Sequence, residues 1–301
     1  MGLISESIKI LYFSKEEIWG KNILSFGNPF FSKKRLKELN FDKQLIEEIF
    51  RIERNKRAEY FFKKVFNARL HILDISDTEG GNLIFDLNEK ISETTLKGKF
   101  DLIIDPGTAE HIFNTKLFLE NVFFLLKKGG IYFFQLPLNG WIDHGFRQYS
   151  PTFFNDLCFG NKDTLSLINL FVYHRGRKKL INLLYFYQSR ELEHKILKSK
   201  LNANLNSINL KNYTNTYLYL LSKKGGYLDN IGMIRKLENN DLNFSITQQI
   251  YRISSLDQIL PNNKKDILLK IKVLRLLKKI FILFPLPCYF KLWVLELFFG
   301  K

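Results

Sequence analysis

Cysteine is scarce. Two residues, Cys158 and Cys288, in a chain of 301 cannot build a disulfide framework, and such usage fits a reducing compartment. Five histidines and no CxxC or HExxH spacing leave no zinc signature, so no metal centre is expected. Seven prolines in a chain that is 46% hydrophobic and 15% aromatic exclude a collagen-like, low-complexity or globally disordered protein. The opening MGLISESIKILYFSKEEIWG has no basic leader ahead of an apolar run, and Glu6, Glu16 and Glu17 interrupt it. It does not read as a secretory signal, and the expected location is cytoplasmic. The Walker A pattern is missing, which argues against a P-loop ATPase, and so is GxGxxG, which argues against a dinucleotide fingerprint.

Positive charge is present in excess, at a formal +16. Its distribution says more than its total. The stretch 261–301 carries nine basic residues against Asp266 and Glu296. Within it Lys265, Lys272, Arg275, Lys278 and Lys279 fall on one side of a helical wheel, and Leu269, Val273, Leu276, Leu277, Ile280 and Leu283 on the other. The segment FPLPCYFKLWVLELFFG follows, with Pro285, Pro287, Lys291 and Glu296 breaking any clean span. Residues 264–301 therefore offer peripheral contact with an inner membrane face, or packing on the chain's own core or on another subunit. Two further basic knots, at 51–57 and 175–179, lack the glycine and aromatic pattern of an RNA-binding sheet and any helix-turn-helix signature, so nucleic acid is a disfavoured partner. Oligomeric state is not legible.

Hydrophobic runs punctuated by turn residues place strands at 22–26, 70–75, 82–87, 100–105 and 131–136, with later candidates at 165–173 and 214–221. Helical stretches fall at 32–66, at 113–127 with Lys127-Lys128-Gly129-Gly130 as its stop, after Ser150-Pro151, and around 191–200. Alternation of this kind predicts an α/β fold: a Rossmann-like, open, mostly parallel sheet of about seven strands flanked by helices, with a C-terminal helical amphipathic tail. The expected division is an N-terminal helical segment at 1–20, the α/β domain at 21–225 and a C-terminal extension at 226–301.

In such sheets ligands bind beyond the carboxyl ends of the strands, where strand order reverses. The loops there are polar or glycine-bearing throughout: Gly27 and Asn28; Asp74, Asp77 and Glu79; Asp86 and Asn88; Asp105, Gly107, Thr108, Glu110 and His111; His144 and Gly145. An acid ending the second strand, Asp74, is suited to accept hydrogen bonds from both ribose hydroxyls of a nucleoside cofactor. It lies 47 residues beyond Gly27, well past the ~20 of the dinucleotide fingerprint, so NAD is disfavoured. Asp101 and Asp105 stand at opposite ends of one strand and make no acid and base pair, and Asp74, Asp86 and Asn88 end different strands and make no metal cluster.

Taken in order, HILDISDTEGGNLIFDLNE, FDLIIDPGTAEHIFN, LLKKGGIYFFQLPLN and DHGFRQYSPTFF resemble class I S-adenosylmethionine-dependent methyltransferases of bacterial type, over about 22–155 and more weakly to about 225. The resemblance implies S-adenosylmethionine as cofactor. By position it implies cofactor contacts from Gly27, from Asp74 with Ile75, from Asp86 with Leu87, and from Asp105, Gly107 and Glu110. The family's acidic-x-Gly-x-Gly turn stands here as Ser25-Phe26-Gly27-Asn28-Pro29, with one glycine and no acid. Methyl transfer asks mainly for in-line alignment, because the sulfonium already carries an activated methyl group. A hydroxyl acceptor would use a general base, for which His144 is the candidate and His111 the lesser one, with Arg147 and Tyr149 lining an acceptor pocket. The expected activity is methylation of a small-molecule or glycan-type acceptor, as in surface polysaccharide assembly. A non-catalytic binding or scaffold protein on the same fold is the alternative that the altered turn leaves open.

Overall fold

Strand β1 (Asn22–Phe26) forms where four consecutive buried residues meet the Gly27 turn, and it becomes an interior strand of the sheet in this computed structural model, which describes residues 2–184 and 226–246. The other strands are β2 (Arg69–Asp74), β3 (Leu83–Ile84), β4 (Phe100–Asp105), β5 (Leu126–Asn139), β6 (Leu165–His174), β7 (Lys179–Asn182) and β8 (Leu228–Lys236). Their order is β3-β2-β1-β4-β5-β8-β6-β7. The first five run parallel, β8 lies antiparallel between β5 and β6, and β7 closes the edge as a hairpin with β6. The fold is the expected Rossmann-like, mostly parallel α/β sheet.

Helices cover both faces. On one, α1 (Ser5–Phe13), α3 (Lys33–Glu38), α4 (Lys43–Arg51) and α5 (Arg57–Phe66) bury Ile8, Leu36, Ile49, Phe61 and Phe62 against Ile23, Ile72, Leu102 and Phe133. On the other, α6 (Thr115–Leu125) and α7 (Pro151–Gly160) set Phe118 at 5.5 Å from Phe26 and stack Phe154 at 3.9 Å on Phe134. Phe133 and Phe134 face opposite ways because successive strand side chains alternate, and each fully buried aromatic contributes ~1.5–3 kcal/mol of apolar burial. Gln135, buried in β5, ties down the start of the chain: its Oε1 accepts from Ile4 N (3.0 Å) and Ser7 Oγ (2.8 Å). A short helix α2 (Lys15–Ile18) then leads into β1.

Several expectations are corrected. The stretch 32–66 is three helices and a 3-10 turn, divided where Asn40 takes a left-handed φ of 57° and Ile52 turns extended. The third strand shrinks to Leu83–Ile84 because Asp86 leaves the ladder and its Oδ1 accepts instead from Asn88 N (2.8 Å). Lys127-Lys128-Gly129-Gly130 is not a helix stop but part of β5, with a register shift against β4. The carbonyls at the end of α6 are held from afar, by buried Lys236 on β8, whose Nζ donates to Phe123 O (2.6 Å) and Leu126 O (2.8 Å). The sheet has eight strands rather than seven, and β8 lies beyond residue 225, inside the stretch read as a C-terminal extension. The chain divides into two compact units, Met1–Asn182 with Tyr219–Ile246, and Leu183–Leu218 with Thr247–Lys301. Apart from Leu183 and Leu184 the second unit lies outside the described residues, as do the expected elements at 191–200 and 214–221, Cys288 and the basic stretch 264–301. Among the described residues no helix is long and apolar enough to cross a membrane.

Candidate functional site

Strand order reverses between β1 and β4, so the crevice suited to a ligand opens beyond the carboxyl ends of these two strands. Gly27 leaves β1 with φ +69°, a left-handed conformation that favours glycine, and its N donates to Leu73 O (2.8 Å). A side chain there would stand 3.7 Å from Asp74 Oδ2 and 3.9 Å from Thr108 Oγ1. Three loops therefore converge on Gly27. Asp74 closes β2 with Oδ1 accepting from Ile75 N (2.7 Å), while Oδ2 has no protein donor among the described residues. Thr108 Oγ1 donates to Phe26 O (3.0 Å) and stitches the loop after β4 to the end of β1. Thr108 is one of the polar residues that the sequence places in the loop after β4, and the resemblance assigns it no role of its own.

The turn after Gly27 is held by side chains. Asn28 is buried, and its Nδ2 donates to Asn55 O (2.7 Å) and Glu79 O (2.8 Å), fixing the loops after β1 and β2 to each other. Ser25 Oγ donates to Gly27 O (2.8 Å) where the resembled family carries an acid.

Around the crevice the expected cofactor residues divide. Gly27 and Asp74 come together, with Ile75 beside them and 69% exposed. Asp86 is exposed and binds Asn88, and Leu87 is turned into the core. Asp105 is fully buried and occupied: Oδ1 accepts from Thr108 N (2.7 Å) and Gly107 N (3.2 Å), Oδ2 from Tyr132 Oη (2.8 Å). It shapes the loop instead of facing a ligand. Burial raises its pKa, against the backbone donors that favour the charged form. Burial, then the Asp105 charge, also raises that of Tyr132.

Beyond Thr108 the chain makes a 3-10 turn, Ala109–His111, which the loop after β5 clasps. Phe146 N donates to Glu110 O (2.8 Å), Arg147 Nη1 to Ile112 O (2.6 Å) and Tyr149 Oη to Ala109 O (3.0 Å). Gly145 packs so closely that a Cβ would come within 2.9 Å of Glu110 O. Arg147 and Tyr149, expected in an acceptor pocket, thus spend these polar atoms on the loop backbone. Tyr149 is buried and its hydroxyl is pushed up to about 12 by that burial.

The clasp gathers Glu110, His111 and His144. Glu110 Oε1 lies 3.8 Å from His144 Nε2 and 3.9 Å from His111 Nε2, and the two imidazoles meet edge to face with centroids 5.1 Å apart. Burial, reinforced by Asp105, pushes the Glu110 carboxyl up to about 8, and burial followed by His144 lowers the pKa of His111. Trp141 rests 5.0 Å from His144, and Arg175 lies over the indole at 4.4 Å while its Nε donates to buried Asp229 Oδ2 (2.6 Å). Exposed Phe113 and Phe146 stand edge to face at the rim, 5.7 Å apart. A buried carboxyl with two imidazoles and an aromatic rim therefore adjoin the loop that also supplies Thr108.

No protein-family model matches the chain, and no curated protein matches it in sequence. Solved structures give distant likenesses. One is a provisionally assigned sarcosine dimethylglycine methyltransferase from Galdieria sulphuraria, at 13% identity over 78% of this chain and 85% of that one, with a TM-score of 0.44. Another is phosphoethanolamine N-methyltransferase 2 of Haemonchus contortus in complex with S-adenosyl-L-methionine, at 12% identity over 77% of this chain and 52% of that one, TM-score 0.39; the chain spans about half its length. A third is the branched-chain polyamine synthase of Thermus thermophilus with N4-aminopropylspermidine and 5'-methylthioadenosine, at 14% identity over 77% and 55%, TM-score 0.37.

Proposed function

We propose that the chain is a methyltransferase that binds S-adenosylmethionine in the crevice between β1 and β4 and methylates a small-molecule or glycan-type acceptor. The observation that carries this reading is the convergence at Gly27: a left-handed turn without a side chain, faced by an Asp74 carboxylate with one oxygen that lacks a donor among the described residues. Such a carboxylate can accept from both ribose hydroxyls, and the bare turn admits the methionine end. Asp105 and Thr108 hold the floor of the crevice in shape. Glu110 and His144 stand where an acceptor hydroxyl could give up its proton, and the Phe113 and Phe146 rim supplies apolar contact for the acceptor. A place in polysaccharide assembly at the inner membrane face belongs to the same proposal, and its support is the basic amphipathic pattern of 264–301.

Ultraviolet crosslinking with methyl-labelled S-adenosylmethionine, followed by peptide mapping, tests the site. The label is expected in peptides containing 24–29 or 74–80 and should be competed by S-adenosylhomocysteine. Labelling confined to other peptides would contradict the placement, and a chain that takes no competable label would favour the binding or scaffold alternative.

A further inference from the structure

Glu110 is fully buried, yet among the described residues neither of its carboxylate oxygens has a hydrogen-bond partner, and buried His144 Nε2 has none either. Buried polar atoms without partners are costly, and a buried uncompensated charge more so, so these two groups are unfavourable to assemble unless a further partner is bound. The Nε2 to Oε1 separations of 3.8 and 3.9 Å are too long for hydrogen bonds. One ligating atom from each of Glu110, His111 and His144 lies within 4.8 Å of the others, the one such group among the described residues. Ligands ~2.0–2.2 Å from a common ion sit ~3.0–3.5 Å from each other, so the two carboxylate-to-imidazole separations need to contract by ~0.3–0.9 Å and the third, at most 4.8 Å, by up to ~1.3–1.8 Å. His111 and His144, with side chains 46% and 32% exposed, have room to turn inward.

We infer that Glu110, His111 and His144 form a site for a divalent transition-metal ion, with open coordination positions toward solvent. Two imidazoles and one carboxylate select borderline ions such as Zn2+, Co2+ or Fe2+ over Mg2+ and Ca2+, which prefer oxygen. The ion would supply the direct partner that both Glu110 carboxylate oxygens lack among the described residues. The ligands are preorganised by the clasp, since the bond from Phe146 N to Glu110 O and the close packing of Gly145 fix the two loops that carry them. Metal binding stands apart from the methyltransferase reading, although an ion would take the Nε2 lone pair of His144 and so replace it as the proton acceptor. Only its use rests on that reading: an acceptor hydroxyl on an open position would be acidified and oriented for attack.

The test is titration of Co2+ into the metal-stripped full chain, followed by visible absorption and by competition with Zn2+. One equivalent is expected to bind, with H111A, H144A and the isosteric E110Q each weakening affinity at least tenfold and H71N leaving it unchanged. Circular dichroism melts confirm that each variant is folded. Absence of stoichiometric binding, or binding that survives unchanged in the H111A/H144A double variant, overturns the inference. S-adenosylhomocysteine binding measured on the same samples separates the two ideas: its loss with metal binding intact counts against the methyltransferase reading alone, and the converse against the metal site alone.

Discussion

Gly27→Ala probes the crevice without touching a charged group. At φ +69° an alanine adopts a left-handed conformation at a cost of ~1 kcal/mol or somewhat more. Its methyl group meets Asp74 Oδ2 at 3.7 Å and Thr108 Oγ1 at 3.9 Å, ordinary van der Waals separations, so no clash adds to that strain. At about 2–4 °C per kcal/mol for a domain of this size, Tm should fall by only a few degrees. With cofactor bound the balance differs, because the methyl then occupies space between Asp74 and Thr108 that the ligand needs. Overpacking of that kind costs about 1–3 kcal/mol, which is a ~5- to 150-fold loss of affinity. Calorimetry with S-adenosylhomocysteine on parent and variant, beside thermal melts, reads both numbers. A variant that binds the ligand as tightly as the parent would refute the placement of the ligand over Gly27.

Asp74→Ala should weaken S-adenosylhomocysteine by ~10- to 100-fold, the worth of hydrogen bonds to a charged group, and should barely move Tm, since its one internal bond is to the adjacent Ile75 N; calorimetry and a melt check both. Lys236→Met removes the two bonds that hold the end of α6 and should lower the free energy of unfolding by ~1–3 kcal/mol in urea titration, with a shift under 0.5 kcal/mol counting against that role. Burial raises the Asp105 pKa above its ordinary 3.8, so the folded chain binds that proton more tightly than the unfolded one. Its contribution to stability is complete below pH 3.8 and is lost as pH rises through the folded-state pKa. Asp105→Asn escapes that loss, so urea midpoints from pH 4 to 8 should shift in the variant's favour relative to the parent, and a constant difference contradicts the sign.

β1 and β4 were legible to the residue because each is an interior run of apolar residues ended by turn chemistry. β8 was not, because LDNIGMIRK carries Asp229, Asn230 and Gly232, residues that argue against a strand when only neighbours are considered. Their reasons lie across the sheet. Asp229 pairs with Arg175, Asn230 Nδ2 donates to Tyr149 O, and Gly232 leaves room for the Phe134 ring, which a Cβ would strike. The site was half legible for a similar cause. Gly27 and Asp74 follow from strand ends, whereas the meeting of Glu110 with His144, 34 residues apart, depends on a clasp between loops. Asp105 and Arg147 show the opposite limit: a polar residue in a ligand-facing loop can be consumed by the loop itself.

The most direct measurement is calorimetric titration of S-adenosylmethionine and S-adenosylhomocysteine into the purified full chain. Saturable binding at one site per chain in the micromolar range is the predicted result. No heat and no thermal shift with either ligand would contradict the account at its centre, leaving the crevice between β1 and β4 to a different ligand.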